Sequence, residues 1–201
     1  MTMRPGSLIA FEGLDQSGKE TQAKRLAGRV TAGGRLATIV AFPDRATPIG
    51  QEIESALRGR REYRADVMQL LYVANRYEWK PAIEEMLAAG QIVVCDRYLA
   101  SSVAYGEAQA LDPDWLFDLQ RFLPQPAVTL LLDIAPATAV ERKRVNRDRF
   151  ERDLDLLERV RRSYQRQATR AGWHRIDGER PPDAVEADVL TALAGPLGLR
   201  S

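Results

Sequence analysis

The sequence predicts a three-layer α/β fold in which five short strands form a mainly parallel sheet flanked by helices. Three observations carry that expectation. Short apolar runs alternate with longer stretches whose apolar residues recur at helical spacing. The runs are apolar on both faces, as strands covered by helices on both sides require. The first run leads straight into Gly13-Leu14-Asp15-Gln16-Ser17-Gly18-Lys19, which has the spacing G-x-x-x-x-G-K and precedes a helical stretch.

The first strand is expected over residues 8–11 (LIAF). Gly13 and Gly18 let the backbone turn so that successive N–H groups face one concavity. That concavity lies at a helix N-terminus, whose unpaired N–H groups and dipole favour phosphate. Lys19 adds a positive charge where the β- and γ-phosphates of a nucleotide would lie. Strand, glycine loop and helix in this order make a phosphate-binding P-loop and point to the P-loop NTPase fold, although a bare match also arises as a chance glycine turn. The hydroxyl expected after the lysine is replaced by Glu20, and Thr21 follows. The helix is expected to stop at Gly33-Gly34.

Residues 36–42 (LATIVAF) read as a second strand, ended by Pro43; a turn-rich loop and a helix through Leu57 follow. Val67, Leu70, Leu71 and Ala74 keep helical spacing over residues 64–79, and Pro81 begins or kinks a continuation towards Gly90. Residues 92–95 (IVVC) form the third strand and deliver Asp96-Arg97-Tyr98 at its carboxyl end. A helix is expected to start near Ser101 or Ser102, and Asp112-Pro113 reads as the cap and first residue of another. Residues 128–133 (VTLLLD) are the fourth strand, after which Pro136 opens a helix. A helix over 153–167, a weak fifth strand at 173–176 and a final helix after Pro182 complete the chain. No repeat or linker interrupts it, so a single domain over 1–201 is expected, with a short lid at 142–152.

Composition narrows the function. Forty-five per cent hydrophobic and 28% charged residues describe an ordinary globular chain. Lys plus Arg is 29 against 28 for Asp plus Glu, which leaves no overall basic field for nucleic acid. One cysteine, Cys95, excludes an internal disulfide and a cysteine metal cluster and suits a reducing compartment. The N-terminal residues lack the apolar run of a signal peptide, and no run approaches a membrane span. A soluble, cytoplasmic protein without nucleic-acid or membrane partners is expected.

In parallel sheets, ligands bind outside the carboxyl ends of the strands, which gathers the P-loop, the segment from Phe42 to Arg45, and Asp96-Arg97 onto one rim. Asp96 there suits Mg²⁺, which prefers hard oxygen ligands and keeps part of its water shell. Arg97 suits a phosphate through its planar fork. The plainer reading of the pair is a capping carboxylate beside a surface ion pair. Residues 142–152 hold six basic residues against Asp148 and Glu151. They read either as a solvated helix face or as mobile arginines that close over a transferring phosphoryl group. Tyr72 and Arg76 lie four apart on one helical face. They are either a core aromatic and a surface arginine, or a ring stacked on a base with a guanidinium at its edge; spacing does not choose. His174, beside Trp173, reads as packing.

The stretches FEGLDQSGKETQ, FPDRATPIG, LLYVANR, CDRYLASSVAYG and DRFERDLDLLERV together resemble the thymidylate kinase family, over residues 8–164. Related nucleotide kinases share the P-loop but generally not DRYxxSSxAY. The resemblance implies phosphoryl transfer from ATP to the 5′-phosphate of dTMP, giving dTDP and ADP with Mg²⁺, in a homodimer. It implies that Gly13, Leu14, Asp15, Gln16, Ser17, Gly18, Lys19, Glu20 and Thr21 cradle the donor and that Arg142 packs on adenine. Asp15 would reach the acceptor's 3′-hydroxyl or the magnesium shell, and Arg45 and Arg97 would hold the acceptor phosphate. Phe42 would line the sugar or base pocket, Tyr72 would stack on thymine, and Arg76 would bond its edge with Ser102 nearby. Tyr105 would lie against the deoxyribose.

Two positions depart from the family pattern. Some members carry an arginine where this chain has Gln16, whereas others place it in the lid. The resemblance is therefore to the second type, with Arg147 or Arg149 as the catalytic arginine and Glu151 as a further candidate. Glu20 stands open between binding Mg²⁺ through water, facing solvent, or leaving the metal to Asp96 and Asp15. The alternative readings are another nucleoside monophosphate or deoxynucleoside kinase, and a nucleotide-binding regulator without turnover.

Overall fold

The computed structural model describes residues 5–142 and 153–197. Its sheet comprises β1 (Ser7–Glu12), β2 (Ala37–Ala41), β3 (Ile92–Asp96), β4 (Val128–Asp133) and β5 (Trp173–Asp177) in the order β2-β3-β1-β4-β5. Every neighbouring pair is parallel. The expected strands are therefore all present, and a sheet expected to be mainly parallel is wholly so among the described residues.

The helices are α1 (Lys19–Ala32), α2 (Pro48–Leu57), α3 (Ala65–Ala88), α4 (Leu99–Glu107), α5 (Pro113–Asp118), α6 (Pro136–Arg142), α7 (Leu154–Gln167) and α8 (Pro182–Leu197). The period-two alternation of the central strands divides the core between the two faces of the sheet. Ile9, Phe11, Ile92, Val94, Leu130 and Leu132 pack with Leu26 and Val30 of α1 and with Val185, Val189 and Leu193 of α8. Leu8, Ala10, Val93 and Cys95 face the other way, onto Ile83 of α3 and Tyr98. Leu131 joins Ala104 of α4 and Leu157, Val160 and Tyr164 of α7. Burying each large apolar side chain contributes about 1.5–3 kcal/mol, which makes β1 and the strands beside it the rigid floor of the molecule.

Two expectations are refined. Pro81 lies inside a single helix rather than at a break. The turns after it still bury Ile83 and pack Met86 and Leu87 on the same core, although its missing N–H leaves the Tyr77 carbonyl without a helical donor. The helix expected from Ser101 or Ser102 instead begins at Leu99, after Tyr98. The hydroxyls of Ser101 and Ser102 do not cap it; each is bonded to a buried charged side chain, Glu12 and Arg76 respectively.

At the start of α2, Thr47 caps the helix by accepting from the Gly50 N–H at 3.0 Å. Gly50 is packed so closely that a Cβ there would fall 1.7 Å from the Asp44 carbonyl oxygen. No helix among the described residues is long and apolar enough to cross a membrane.

Candidate active site

At the carboxyl end of β1 the chain turns through Gly13 (φ 139°) and Gly18 (φ 95°), conformations that suit glycine. A Cβ on Gly13 would lie 2.4 Å from the Leu132 carbonyl oxygen, so the loop can hug β4 only without a side chain there. Lys19, the first residue of α1, is 5% exposed. Its Nζ donates to the Leu14 carbonyl at 2.7 Å and reaches Ser17 Oγ at 3.5 Å. Burial, reinforced by the nearby Arg97 cation, lowers its pKa from the usual 10.5 to about 8. The cation is held ready beside the concavity, where Asp15, Asp96 and Glu12 favour its charge without offsetting burial. Arg142 reaches across the same loop, donating to the carbonyls of Gln16 and Gly178 at 3.1 Å each.

Glu20 points along the exposed first turn of α1 and pairs with Lys24 at 2.5 Å. The Lys24 hydrogen bond holds the Glu20 carboxyl below its usual range. Thr21 is exposed beside it.

Facing the loop, Arg97 follows β3 with φ 64°, a left-handed conformation that costs a non-glycine residue on the order of 1–3 kcal/mol. Its surroundings hold it there. The N–H donates to the Phe11 carbonyl at 2.9 Å, and Nη2 donates to Asp15 Oδ1 at 2.5 Å. Nη1 donates to the hydroxyls of Ser101 and Tyr164, both at 3.2 Å. Those hydroxyls in turn donate to Glu12 Oε2, at 2.6 and 3.2 Å. The other oxygen, Glu12 Oε1, accepts from the Tyr98 N–H at 2.9 Å. Glu12 is fully buried, so its charge is passed to Arg97 through two hydroxyls. Burial opposes the charge on Arg97, yet Asp15 outweighs it and its pKa lies well above the ordinary value.

The third wall comes from α3 and α4. Arg76 is 3% exposed and donates to Ser102 Oγ at 2.7 Å and Gln120 Oε1 at 3.1 Å. Its guanidinium carbon stands 5.9 Å from the Phe42 ring centroid, and Phe42 packs on Tyr98 at 5.7 Å. Burial lowers the Arg76 pKa. Arg45 is exposed and pairs with Glu54 at 3.0 Å. Its loop is pinned from α3: Asn75 accepts from the Asp44 N–H at 2.8 Å and donates to Thr47 Oγ1 at 2.9 Å, while Trp79 donates to Asp44 Oδ2 at 2.8 Å.

These walls enclose one cleft of about 740 Å³. Of the expected site residues, Asp15, Gln16, Gly18, Lys19, Glu20, Thr21, Phe42, Arg45, Tyr72, Arg76, Asp96, Arg97, Ser102 and Tyr105 line it. Gly13, Leu14 and Ser17 shape the loop behind, and Arg142 stands at its outer edge. Arg147, Arg149 and Glu151 lie outside the described residues. Sequence reasoning missed Glu12, Ser101, Tyr164, Gln69, Asn75 and Gln120. The acid ending an otherwise apolar strand was the available signal for Glu12; the others are polar residues on helices or, for Gln120, in the turn after α5, where spacing does not reveal a tertiary partner. Among the described residues no three acidic, histidine or cysteine side chains converge to hold a metal by themselves. Asp15, Asp96 and Thr21 nevertheless bring hard oxygen atoms to the cleft, a donor set suited to a Mg²⁺ that takes its remaining ligands from phosphate and water.

The thymidylate kinase family model matches residues 11–189. The chain is 33% identical to human thymidylate kinase, over 98% of each chain, and 33% identical to that of Danio rerio, over 94% of this chain and 90% of the relative. It is 35% identical to the thymidylate kinase of Schizosaccharomyces pombe, over 80% and 76%. A solved thymidylate kinase from Candida albicans superimposes with a TM-score of 0.86 at 26% identity, over 98% and 96% of the two chains. With the P-loop, the strand-end Arg97 and the α3–α4 pocket on a single cleft, and with relatives matched along nearly its whole length, this chain belongs to the thymidylate kinase family.

Proposed function

We propose that the chain transfers the γ-phosphoryl group of ATP to the 5′-phosphate of dTMP, giving dTDP and ADP. The observation that carries this reading is the continuity of the cleft: Lys19 and the base-pocket residues Tyr72 and Arg76 line the same space. The acceptor is already an anionic phosphate, so no strong general base is needed. The difficulty is bringing two polyanions into line, which positioned positive charge resolves.

Lys19 leaves the Leu14 carbonyl for the donor's β- and γ-phosphates. The surrounding loop amides hold the rest of the triphosphate, and Arg142 packs on adenine. Arg97, already oriented, clamps the acceptor phosphate; Arg45 exchanges Glu54 for the same group. Tyr72 stacks on thymine, Arg76 bonds its edge from the rigid Ser102–Gln120 seat, and Phe42 and Tyr105 close the sugar side. Asp15 and Asp96 would hold Mg²⁺ through its waters, with Glu20 held aside by Lys24 at the mouth. When bound, Mg²⁺ supplies charge neutralisation and alignment of the phosphates. Arg147 or Arg149 places a guanidinium between donor and acceptor in the transition state. Cytoplasmic location rests on the single buried, free Cys95. A homodimer is supported by the half-exposed apolar Val67 and Leu70 on α3.

The test is ADP release at millimolar Mg²⁺ with dTMP, dUMP, dCMP and dGMP compared. Turnover is expected to be fastest with dTMP. Release no faster than with ATP alone, or equal rates for dCMP and dGMP, would refute the reading.

A further inference from the structure

We propose that Gln69 reads the imide edge of the pyrimidine, with its carbonyl oxygen accepting the N3–H and its amide donating to O2. This rests on the dTMP reading above and adds a residue to it. Gln69 precedes Tyr72 by three positions and Arg76 by seven, which puts the three on one face of α3, and all three line the cleft. Its side chain is 1% exposed, and its Oε1 is buried without a hydrogen-bond donor. Buried carboxamides in folded proteins are normally bonded, so an unmet one in a binding cleft points to a ligand group.

The seat is built. Gly106 on α4 carries no side chain where a Cβ would stand 3.4 Å from Gln69 Cγ, and Leu116 fills the space beyond it. The stem of Gln69 therefore lies against α4 at Gly106, with Leu116 of α5 on the other side of that glycine.

Complementarity selects the ligand edge. Thymine presents acceptor, donor and acceptor in sequence: O4, N3–H and O2. Arg76 has only N–H groups to offer, and its Nη1 already serves Ser102 and Gln120. It therefore suits O4 and cannot accept from N3–H. A carboxamide carries an acceptor beside donors and matches the N3–H/O2 pair. Arg76 and Gln69 flank Tyr72 along the helix, so one reads each side of the ring that Tyr72 supports. Cytosine would place its amino group against the Arg76 donors and offer Gln69 no N3–H.

The experiment compares dTMP with its 3-deaza analogue, a 4-hydroxy-2-pyridone that lacks N3–H and carries a hydroxyl in place of O4, on the wild type and on Gln69→Leu, with Gln69→Met as a second, unbranched variant. A hydrogen bond whose loss strands a buried partner is worth roughly 10- to 100-fold in kcat/KM. The analogue is expected to lose at least that factor on the wild type. Both variants should lose it with dTMP and show an analogue penalty smaller than the wild type's by that factor, because the change at position 4 meets Arg76 equally in all three, while KM for ATP is unchanged and reports an intact fold. An equal analogue penalty on wild type and variants, or unaltered dTMP kinetics in the variants, overturns the assignment of Gln69 alone. A wild type that phosphorylates no dTMP overturns both readings.

Discussion

Replacing Lys19 by methionine separates what the cation does for catalysis from what it does to the fold. Its pKa is about 8 instead of 10.5, chiefly because burial strips its water. Each tenfold change in the proton equilibrium is worth about 1.4 kcal/mol, so holding Lys19 charged at pH 7 costs the folded protein about 3 kcal/mol. Between pH 8 and pH 10.5 the unfolded chain binds the proton more tightly than the folded one, and in that window stability rises with pH. Below pH 8 both states are protonated and the cost is constant. Lys19→Met abolishes the cost and strands the Leu14 carbonyl, a loss independent of pH. Urea unfolding of wild type and variant at pH 7 and pH 10 is the assay, because every other titration cancels in the difference. The wild type should gain about 3 kcal/mol relative to the variant across the window, most of it by pH 10. Parallel stability at the two pH values would refute a buried, destabilised cation. The kinetic counterpart is a kcat/KM for ATP that falls above pH 8, since that parameter reports the free enzyme.

Glu12→Gln keeps the shape of the buried acid and removes its charge from the relay to Arg97. Hydrogen bonds to charged groups are worth about 1.5–3 kcal/mol, so kcat/KM for dTMP should fall by one to two orders of magnitude while KM for ATP changes little. Equal losses for both substrates in steady-state kinetics would mark Glu12 as merely structural. Tyr72→Ala should weaken dTMP far more than ATP, since stacking is worth about 1–3 kcal/mol per base, and isothermal titration with each nucleotide would show it. Arg149→Ala should lower kcat more than it raises KM in steady-state assays, the mark of an interaction made in the transition state.

Most of the scaffold was legible because it rests on local signals. The apolar runs at residues 92–95 and 128–133 and the glycines of the P-loop are dictated by burial and by backbone sterics. Asp112-Pro113 opened its helix as expected, and so did Pro136. The start of α4 was misplaced because Ser101 and Ser102 look like caps in sequence and become buried acceptors and donors only when β1 and α3 arrive. The same cause hid much of the site. Asp96 and Arg97 were visible as strand-end charges, whereas the Glu12–Ser101–Tyr164 relay joins three distant stretches with no common spacing. Asn75 was in plain view inside LLYVANR, yet its grip on the Asp44 loop depends on how α3 crosses that loop. Glu20 finds its partner one turn along its own helix, at Lys24, a pairing that i,i+4 spacing allows but does not demand.

Gly50 carries a consequence beyond packing. It touches no expected ligand, and yet even a methyl group there would drive a wedge between α2 and the peptide joining Asp44 to Arg45. Relief would strain the bonds by which Asn75 and Trp79 hold the arginine's own segment, since α2 is anchored on the far side by buried Ile53 and Ala56. A change at position 50 would thus mimic loss of Arg45 in an enzyme whose every expected contact residue is intact. Surveys that weigh substitutions by distance from the nucleotide would pass over it.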